Sequence, residues 1–201
     1  MDYPAIFSYV INGLPVQTGD ILCTQAGVEG ADQPEAIQPG EFWHWVGQLV
    51  PGEVDHVAIY LGPGGLCIES GPWGVISFTV EAGWWNAPQM MSRRGNFVDT
   101  FYGMAYPLAG RGLPPEAEVR LRAEVAAFCT AQLGKPYNKN LFNLDQDDSF
   151  YCSQLAYRAY QPHGINLNSR PEIKVLPLTQ RIVYPQEIWD SCHHRRWEPK
   201  T

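Results

Sequence analysis

The chain has 201 residues, 45% apolar and 17% charged, which suits a globular protein with one sizeable core. Its formal net charge of −7 argues against a phosphate-backbone partner, so no nucleic-acid ligand is expected. No apolar run approaches the roughly 20 residues that span a bilayer, and the first residues lack the pattern of an export signal. A soluble, cytoplasmic chain is therefore expected, with release by a signal-independent route left open.

In chain order, residues 1–18 are expected to be irregular, because Pro4, Gly13 and Pro15 interrupt them. Thr18-Gly19-Asp20 reads as a turn, Ile21-Leu22-Cys23 as a short strand, and 24–40 as a polar loop. Phe42-Trp43-His44-Trp45-Val46 is dense in aromatics and suits a short helix or a strand beside a groove. His44 there is read as a core or rim residue before it is read as a ligand. Val54 to Leu61 is apolar and β-rich and predicts a strand. Gly62-Pro63-Gly64-Gly65 predicts a turn, Leu66 to Ser70 the returning strand, and Val75 to Val80 a third. Gly83-Trp84-Trp85-Asn86 reads as a loop, and a fourth strand is expected within 97–106.

Gly110 to Pro115 is the clearest break in the chain. It leads into a helix expected over Pro115 to Leu133, with Pro at its start, acids in its first turn and Gly134 after its end. A polar, acidic loop then precedes a second helix that carries Cys152, for which Ser149 is the expected cap. Beyond Gly164 the chain is loop-rich, with a short strand near Ile173 to Pro177 and a helical turn at Pro185 to Trp189. The basic clusters Arg93-Arg94 and His193-His194-Arg195-Arg196 read as surface patches. Strands first and helices after predict an α+β fold, an antiparallel sheet packed against helices, in one domain over 1–201.

Five cysteines, at 23, 67, 129, 152 and 192, form no CxxC pair and suit neither a disulfide framework nor a zinc site. A reduced compartment is the simplest reading, and no metal or other cofactor is implied. Cys152 differs from the rest by its place. The apolar positions 152, 155, 156, 159 and 160 mark one helix face, which puts Cys152 in the first turn. There the helix dipole and free backbone N–H groups favour a thiolate. The competing reading is a small buried cysteine packed as an apolar residue.

A histidine and a carboxylate far upstream complete a set. With the turn centred between Pro63 and Gly64, residues whose numbers sum to 127 face each other, so Ala58 opposes Glu69. Glu69 is then the diagonal neighbour of His56 on one sheet face. Asp55 points to the other face and is the poorer partner. A carboxylate orients an imidazole, and an imidazole favours a thiolate, so Cys152, His56 and Glu69 can serve as nucleophile, base and orienter. The first N–H groups of the Cys152 helix, about Ser153, suit an oxyanion hole, and the Tyr137 phenol can add a donor. A histidine satisfied at a strand end and a surface strand carboxylate are the plainer readings of His56 and Glu69.

Two stretches then resemble a known family. Gly134-Lys135-Pro136-Tyr137 followed by Tyr151-Cys152-Ser153-Gln154-Leu155 is similar to the nucleophile segment of NlpC-type papain-like cysteine peptidases. Asp55-His56-Val57-Ala58-Ile59-Tyr60-Leu61-Gly62 and Ile68-Glu69-Ser70 precede the cysteine here, whereas in usual members the histidine strand follows it. That order resembles the circularly permuted, YiiX-like branch, as does Thr18-Gly19-Asp20-Ile21-Leu22. The resemblance implies a circularly permuted papain-like fold, with Cys152 as nucleophile, His56 as base, Glu69 as third member and Tyr137 near the thiol. Tyr151 stands where the family has aspartate and Gln154 where it has glycine, which weighs against carrying over a peptidoglycan-peptide specificity.

The expected activity is cleavage of an amide through a Cys152 thioester, on a peptide, isopeptide or lipid-amide substrate. The tryptophans at 43, 45, 73, 84 and 85 can line a groove or simply pack. The alternatives are a lipid acyltransferase or thioesterase using the same cysteine, and an inactive binding module. A metal site built from His56, Asp55 and Glu69 is weaker, because adjacent strand residues face opposite ways.

Overall fold

A computed structural model describes residues 5–26, 50–71, 73–80, 99–168 and 182–198. Among the described residues eight strands and three α-helices follow in order: β1 (Ser8–Ile11), β2 (Leu14–Gln17), β3 (Ile21–Ala26), β4 (His56–Gly62), β5 (Leu66–Gly71), β6 (Gly74–Thr79), β7 (Asp99–Tyr106), α1 (Pro115–Ala131), α2 (Cys152–Tyr160), α3 (Pro185–Asp190) and β8 (His193–Arg196). Six strands form one sheet in the order β6-β5-β4-β3-β7-β8, and every neighbouring pair is antiparallel. The expected α+β architecture is thus the one observed.

Strand alternation sorts the apolar residues onto the two faces of this sheet. Ile21, Cys23, Val57, Ile59 and Ile68 join one buried cluster, together with Val125 of α1 and Leu155, Ala156, Ala159 and Tyr160 of α2. Leu22, Ala58, Tyr60 and Cys67 point the other way and pack with Ile11 and Val16 of the β1–β2 hairpin. α2 therefore lies on the sheet face opposite the hairpin. Leu155 and Ala156 are fully buried there, and a leucine so buried contributes about 1.5–3 kcal/mol.

The β1–β2 hairpin corrects the irregular N-terminal segment expected from Pro4, Gly13 and Pro15. Its turn is Asn12-Gly13, with φ of 50° and 82°. Two consecutive left-handed residues make the tight turn whose twist matches paired strands, and Asn-Gly is its strongest short signal. Pro15 is tolerated because this two-stranded ribbon leaves one side of each strand unpaired. β3 also runs to Ala26 and extends into what composition alone reads as loop. The basic run His193–Arg196 is an edge strand paired to β7; it is exposed throughout, in keeping with a surface patch.

The β4–β5 register matches the expected one. Ile59 faces Ile68 and Tyr60 faces Cys67, with an irregularity only beside the turn, between Tyr60 and Gly62. At the far end of this hairpin pair, β6 opens on Gly74, whose φ is 80°. A Cβ there would lie 2.3 Å from the Lys135 carbonyl oxygen, so only glycine allows this approach. The approach is used: Val75 N–H donates to Lys135 O at 2.8 Å, and Gly134 N–H donates to Val75 O at 2.9 Å. The β5–β6 hairpin is thereby fastened to the segment that leads into α2.

α1 ends at Ala131, three residues before Gly134. The aromatic stretch 42–46 with His44, the loop 83–86, Arg93-Arg94 and the strand expected near 173–177 lie outside the described residues, as do Trp43, Trp45, Trp84 and Trp85. Trp73 is exposed, at 64%. Among the described residues no helix is long and apolar enough to cross a membrane.

Candidate active site

α2 begins at Cys152 itself. Ser149 does not cap it. Its hydroxyl accepts from the Gln146 side chain, three residues back in the preceding loop. Tyr151 takes the cap position, with extended backbone, and its N–H donates to Gln154 Oε1 at 3.3 Å. Gln154 is fully buried and all its polar capacity is engaged. Oε1 also accepts from Asn138 Nδ2 at 2.9 Å, and Nε2 donates to the carbonyls of Asn143 and Leu144 at 3.2 and 3.1 Å. A side chain of this length at position 154 ties the helix start to the 138–144 loop, which a glycine cannot do.

The residues on either side of Cys152 grip one segment. The Tyr151 hydroxyl accepts from Val183 N–H at 3.0 Å, and Ser153 Oγ donates to Val183 O at 2.7 Å. Ser153 Oγ also lies 4.0 Å from the Cys152 sulfur. In that long contact the thiol donates to Ser153 Oγ, while the hydroxyl proton is held in the short bond to Val183 O. The Ser153 hydroxyl thus acts chiefly as a clamp, while its backbone N–H belongs to the first turn of α2, where helix amides have no intrahelical acceptor.

α2 packs on β4 and β5. His56, the first residue of β4, is 8% exposed, and Glu69 of β5 is 1% exposed. His56 Nε2 lies 2.7 Å from Glu69 Oε2. The His56 side chain also hydrogen-bonds the Cys152 sulfur. With Nε2 engaged by Glu69, Nδ1 is the ring nitrogen left for that bond. The three side chains named from the sequence, 13 and 83 residues apart along the chain, are therefore contiguous.

The electrostatics separate Cys152 from the other thiols. Burial pushes its pKa up, but the neighbouring His56, through charge and hydrogen bond, and the Val57 N–H outweigh it, and the thiol lies below its ordinary value. Burial raises the remaining four. Cys192 is pushed up to about 12, Cys129 higher still, and Cys23 and Cys67 lie well above the thiol range. The His56 neighbour is the largest source of this difference, with smaller contributions from the Val57 N–H and the Ser153 hydroxyl.

Tyr137 is half-buried and forms a bridge with Phe150, two residues before the thiol. Asn138 N–H donates to Phe150 O at 2.9 Å, and Phe150 N–H donates to Pro136 O at 3.2 Å. The Ser70 hydroxyl, next to Glu69, donates to the same Phe150 carbonyl at 2.5 Å. The strand that carries the carboxylate and the segment that carries the thiol are so held directly. Among the described residues no group of three or more His, Cys, Asp or Glu side chains is arranged to hold a metal ion.

A histidine strand that precedes the cysteine helix is the reverse of the papain-like order, and it bears on what the chain is related to. Residues 15–196 match the family model described as permuted papain-like amidase enzyme, YaeF/YiiX, C92 family. The chain belongs to this family of permuted papain-like amidases. It is accordingly an enzyme of the cysteine peptidase or amidase type, and its class of reaction is hydrolysis of an amide bond. No curated protein and no solved structure matches the chain.

Sequence reasoning missed two parts of this site. One is the Val183 segment, whose contacts to Tyr151 and Ser153 span about 30 residues and leave no local pattern. The other is the Val57 N–H aimed at the sulfur, which no side-chain motif can signal.

Proposed function

We propose that the protein cleaves its amide substrate with Cys152 as nucleophile, His56 as general base and acid, and Glu69 as the group that orients His56. The observation that carries this reading is the contact chain from the sulfur through the His56 ring to a buried carboxylate 2.7 Å away. The thiolate attacks the amide carbonyl carbon, and the charge moves to the carbonyl oxygen. The backbone N–H groups at the start of α2 stabilise that oxyanion, with the Tyr137 phenol as a further donor. The His56 imidazolium gives its proton to the leaving amine. Water, deprotonated by the same ring, then attacks the thioester and frees the thiolate. A buried Glu69 stabilises the imidazolium throughout. Family membership supports an amide as the bond broken, and the reading extends to a peptide, isopeptide or lipid amide.

The test is alkylation by iodoacetamide, followed cysteine by cysteine by mass spectrometry as pH is varied. Thiolate is the reacting species, so a lowered pKa moves the rise in rate to lower pH. Cys152 is expected to label with a midpoint below the ordinary thiol value of 9.0, and His56→Ala to move that midpoint upward. Cys152→Ala is expected to abolish amide hydrolysis. Faster labelling of any other cysteine at neutral pH overturns the assignment of the nucleophile.

A further inference from the structure

The segment 183–186 touches both halves of the site at once. At one end, the backbone of Val183 is held by Tyr151 and Ser153, the two neighbours of Cys152. At the other end, Gln186 Oε1 accepts from the backbone N–H of Glu53 at 2.9 Å and of Val54 at 3.0 Å. Those residues are the last turn of chain before Asp55 and His56. The contact is close: a Cβ on Gly52, whose φ is 88°, would lie 2.4 Å from Gln186 Oε1. Gln186 is itself steadied, since its Nε2 donates to Asp190 Oδ1 at 3.0 Å, one helical turn on.

Sulfur and imidazole sit on different elements, α2 and β4, and their separation is set by whatever ties the two together. Packing supplies most of that tie, but packing is tolerant of small shifts. Hydrogen bonds to backbone are directional, and a misplacement of about 1 Å at reacting groups can cost on the order of 10²-fold in rate. We propose that Gln186 is a positioning residue for the amidase reaction: from the segment clamped beside Cys152, it fixes the entry of the chain into β4 and so the His56 ring against the sulfur. This rests on the reading of Cys152 and His56 as a catalytic pair. Gln186 touches neither group, and its effect is exerted through the backbone at 53–54.

The Asp190 contact supplies a designed rescue. Gln186→Ala removes the acceptor. Gln186→Glu keeps an acceptor toward Glu53 and Val54 but turns a second carboxylate oxygen on Asp190. Adding Asp190→Asn replaces that repulsion with an amide donor, so the double variant restores both contacts. Iodoacetamide labelling of Cys152 as a function of pH, together with thermal melting, reads the outcome on the full chain. Gln186→Ala is expected to move the labelling midpoint up toward an ordinary thiol and to slow labelling at neutral pH by about tenfold or more. Gln186→Glu is expected to behave similarly, and Gln186→Glu with Asp190→Asn to return to the wild-type profile.

A merely structural tie lowers the melting temperature without moving the midpoint; a folded Gln186→Ala with a wild-type profile therefore overturns the proposal. If Gln186→Ala does not fold, the two glutamate variants decide. A double variant indistinguishable from Gln186→Glu alone counts against positioning. The control is His56→Ala: a midpoint unmoved by that change sinks the Cys152–His56 pairing itself and not the role of Gln186.

Discussion

His56 Nε2 and Glu69 Oε2 are 2.7 Å apart on neighbouring strands, both buried, and the His56 ring also interacts with the Cys152 thiol. An ionised carboxylate only accepts hydrogen bonds, so the reading of Glu69 as the orienting group puts the proton between them on Nε2. In the neutral ring Nδ1 is then the unprotonated nitrogen, the state a base toward the sulfur requires. Nitrogen-15 NMR of the His56 ring is expected to show the Nε2–H tautomer when neutral. Glu69→Ala is expected to lose that preference and to lower amide hydrolysis by up to about 10⁴-fold, the scale of loss when a triad's orienting carboxylate is replaced. Glu69→Gln is expected to lose less, because its amide oxygen still accepts the bond. A wild-type ring found with its proton on Nδ1 contradicts this account.

That pair is legible in the sequence itself, for a specific reason. Gly and Pro at 62–65 locate the turn, the turn sets the register, and a period of two then puts residues 56 and 69 on one face. Cys152 was legible from helical spacing and from the motif it shares with the permuted family. The N-terminal hairpin is announced by Asn12-Gly13, but Pro4, Gly13 and Pro15 also read as breakers, and composition alone does not decide between the two. The cap of α2 lies elsewhere than propensity predicts, for a different reason. Ser149 is the better cap by propensity, yet Gln154 and the buried Tyr151 fix the start two residues later through contacts to the 138–144 loop and to Val183. Tertiary bonds overrode the local preference. The Gln186 link to residues 53–54 joins positions more than 130 apart through backbone groups, and no residue pattern encodes such a bond.

The turn Thr18-Gly19-Asp20 is held by a buried ion pair. Arg122 of α1 donates to Asp20 Oδ1 at 2.9 Å and to Thr18 O at 2.8 Å, and it pairs with Glu118 one turn back. Both Arg122 and Asp20 are almost fully buried. Removing one partner strands the other's charge, so Arg122→Met is expected to destabilise the protein by about 3–5 kcal/mol in urea unfolding. Arg122→Met with Asp20→Asn is expected to lose less. Burial already raises the Asp20 pKa despite the arginine. A raised carboxyl pKa contributes stability at acid pH that is lost as pH rises through it. The single variant is therefore expected to be more destabilised at pH 7 than at pH 5. Equal losses at the two pH values contradict a stranded Asp20 charge.

Gln154 is the position where this chain departs from the glycine of the related motif, and its four contacts give the reason. Gln154→Ala removes the acceptor for Tyr151 N–H and Asn138 Nδ2 and the donor to the Asn143 and Leu144 carbonyls. Buried groups that lose partners cost about 1–3 kcal/mol, and part of this loss is softened because Asn138 Nδ2 also donates to Asn143 O at 3.2 Å. A net loss of about 2–3 kcal/mol is expected in urea unfolding. Gln154→Gly is expected to cost about 1 kcal/mol more, since glycine adds backbone entropy to the unfolded helix. The loss should be local in its dynamics as well. The 138–148 loop, tied to α2 mainly through this side chain and Arg158, is expected to become more sensitive to limited proteolysis while α1 is unaffected. A Gln154→Ala protein as stable as wild type, with the loop equally resistant, shows that the amide is replaceable and that the helix start is held by Val183 alone.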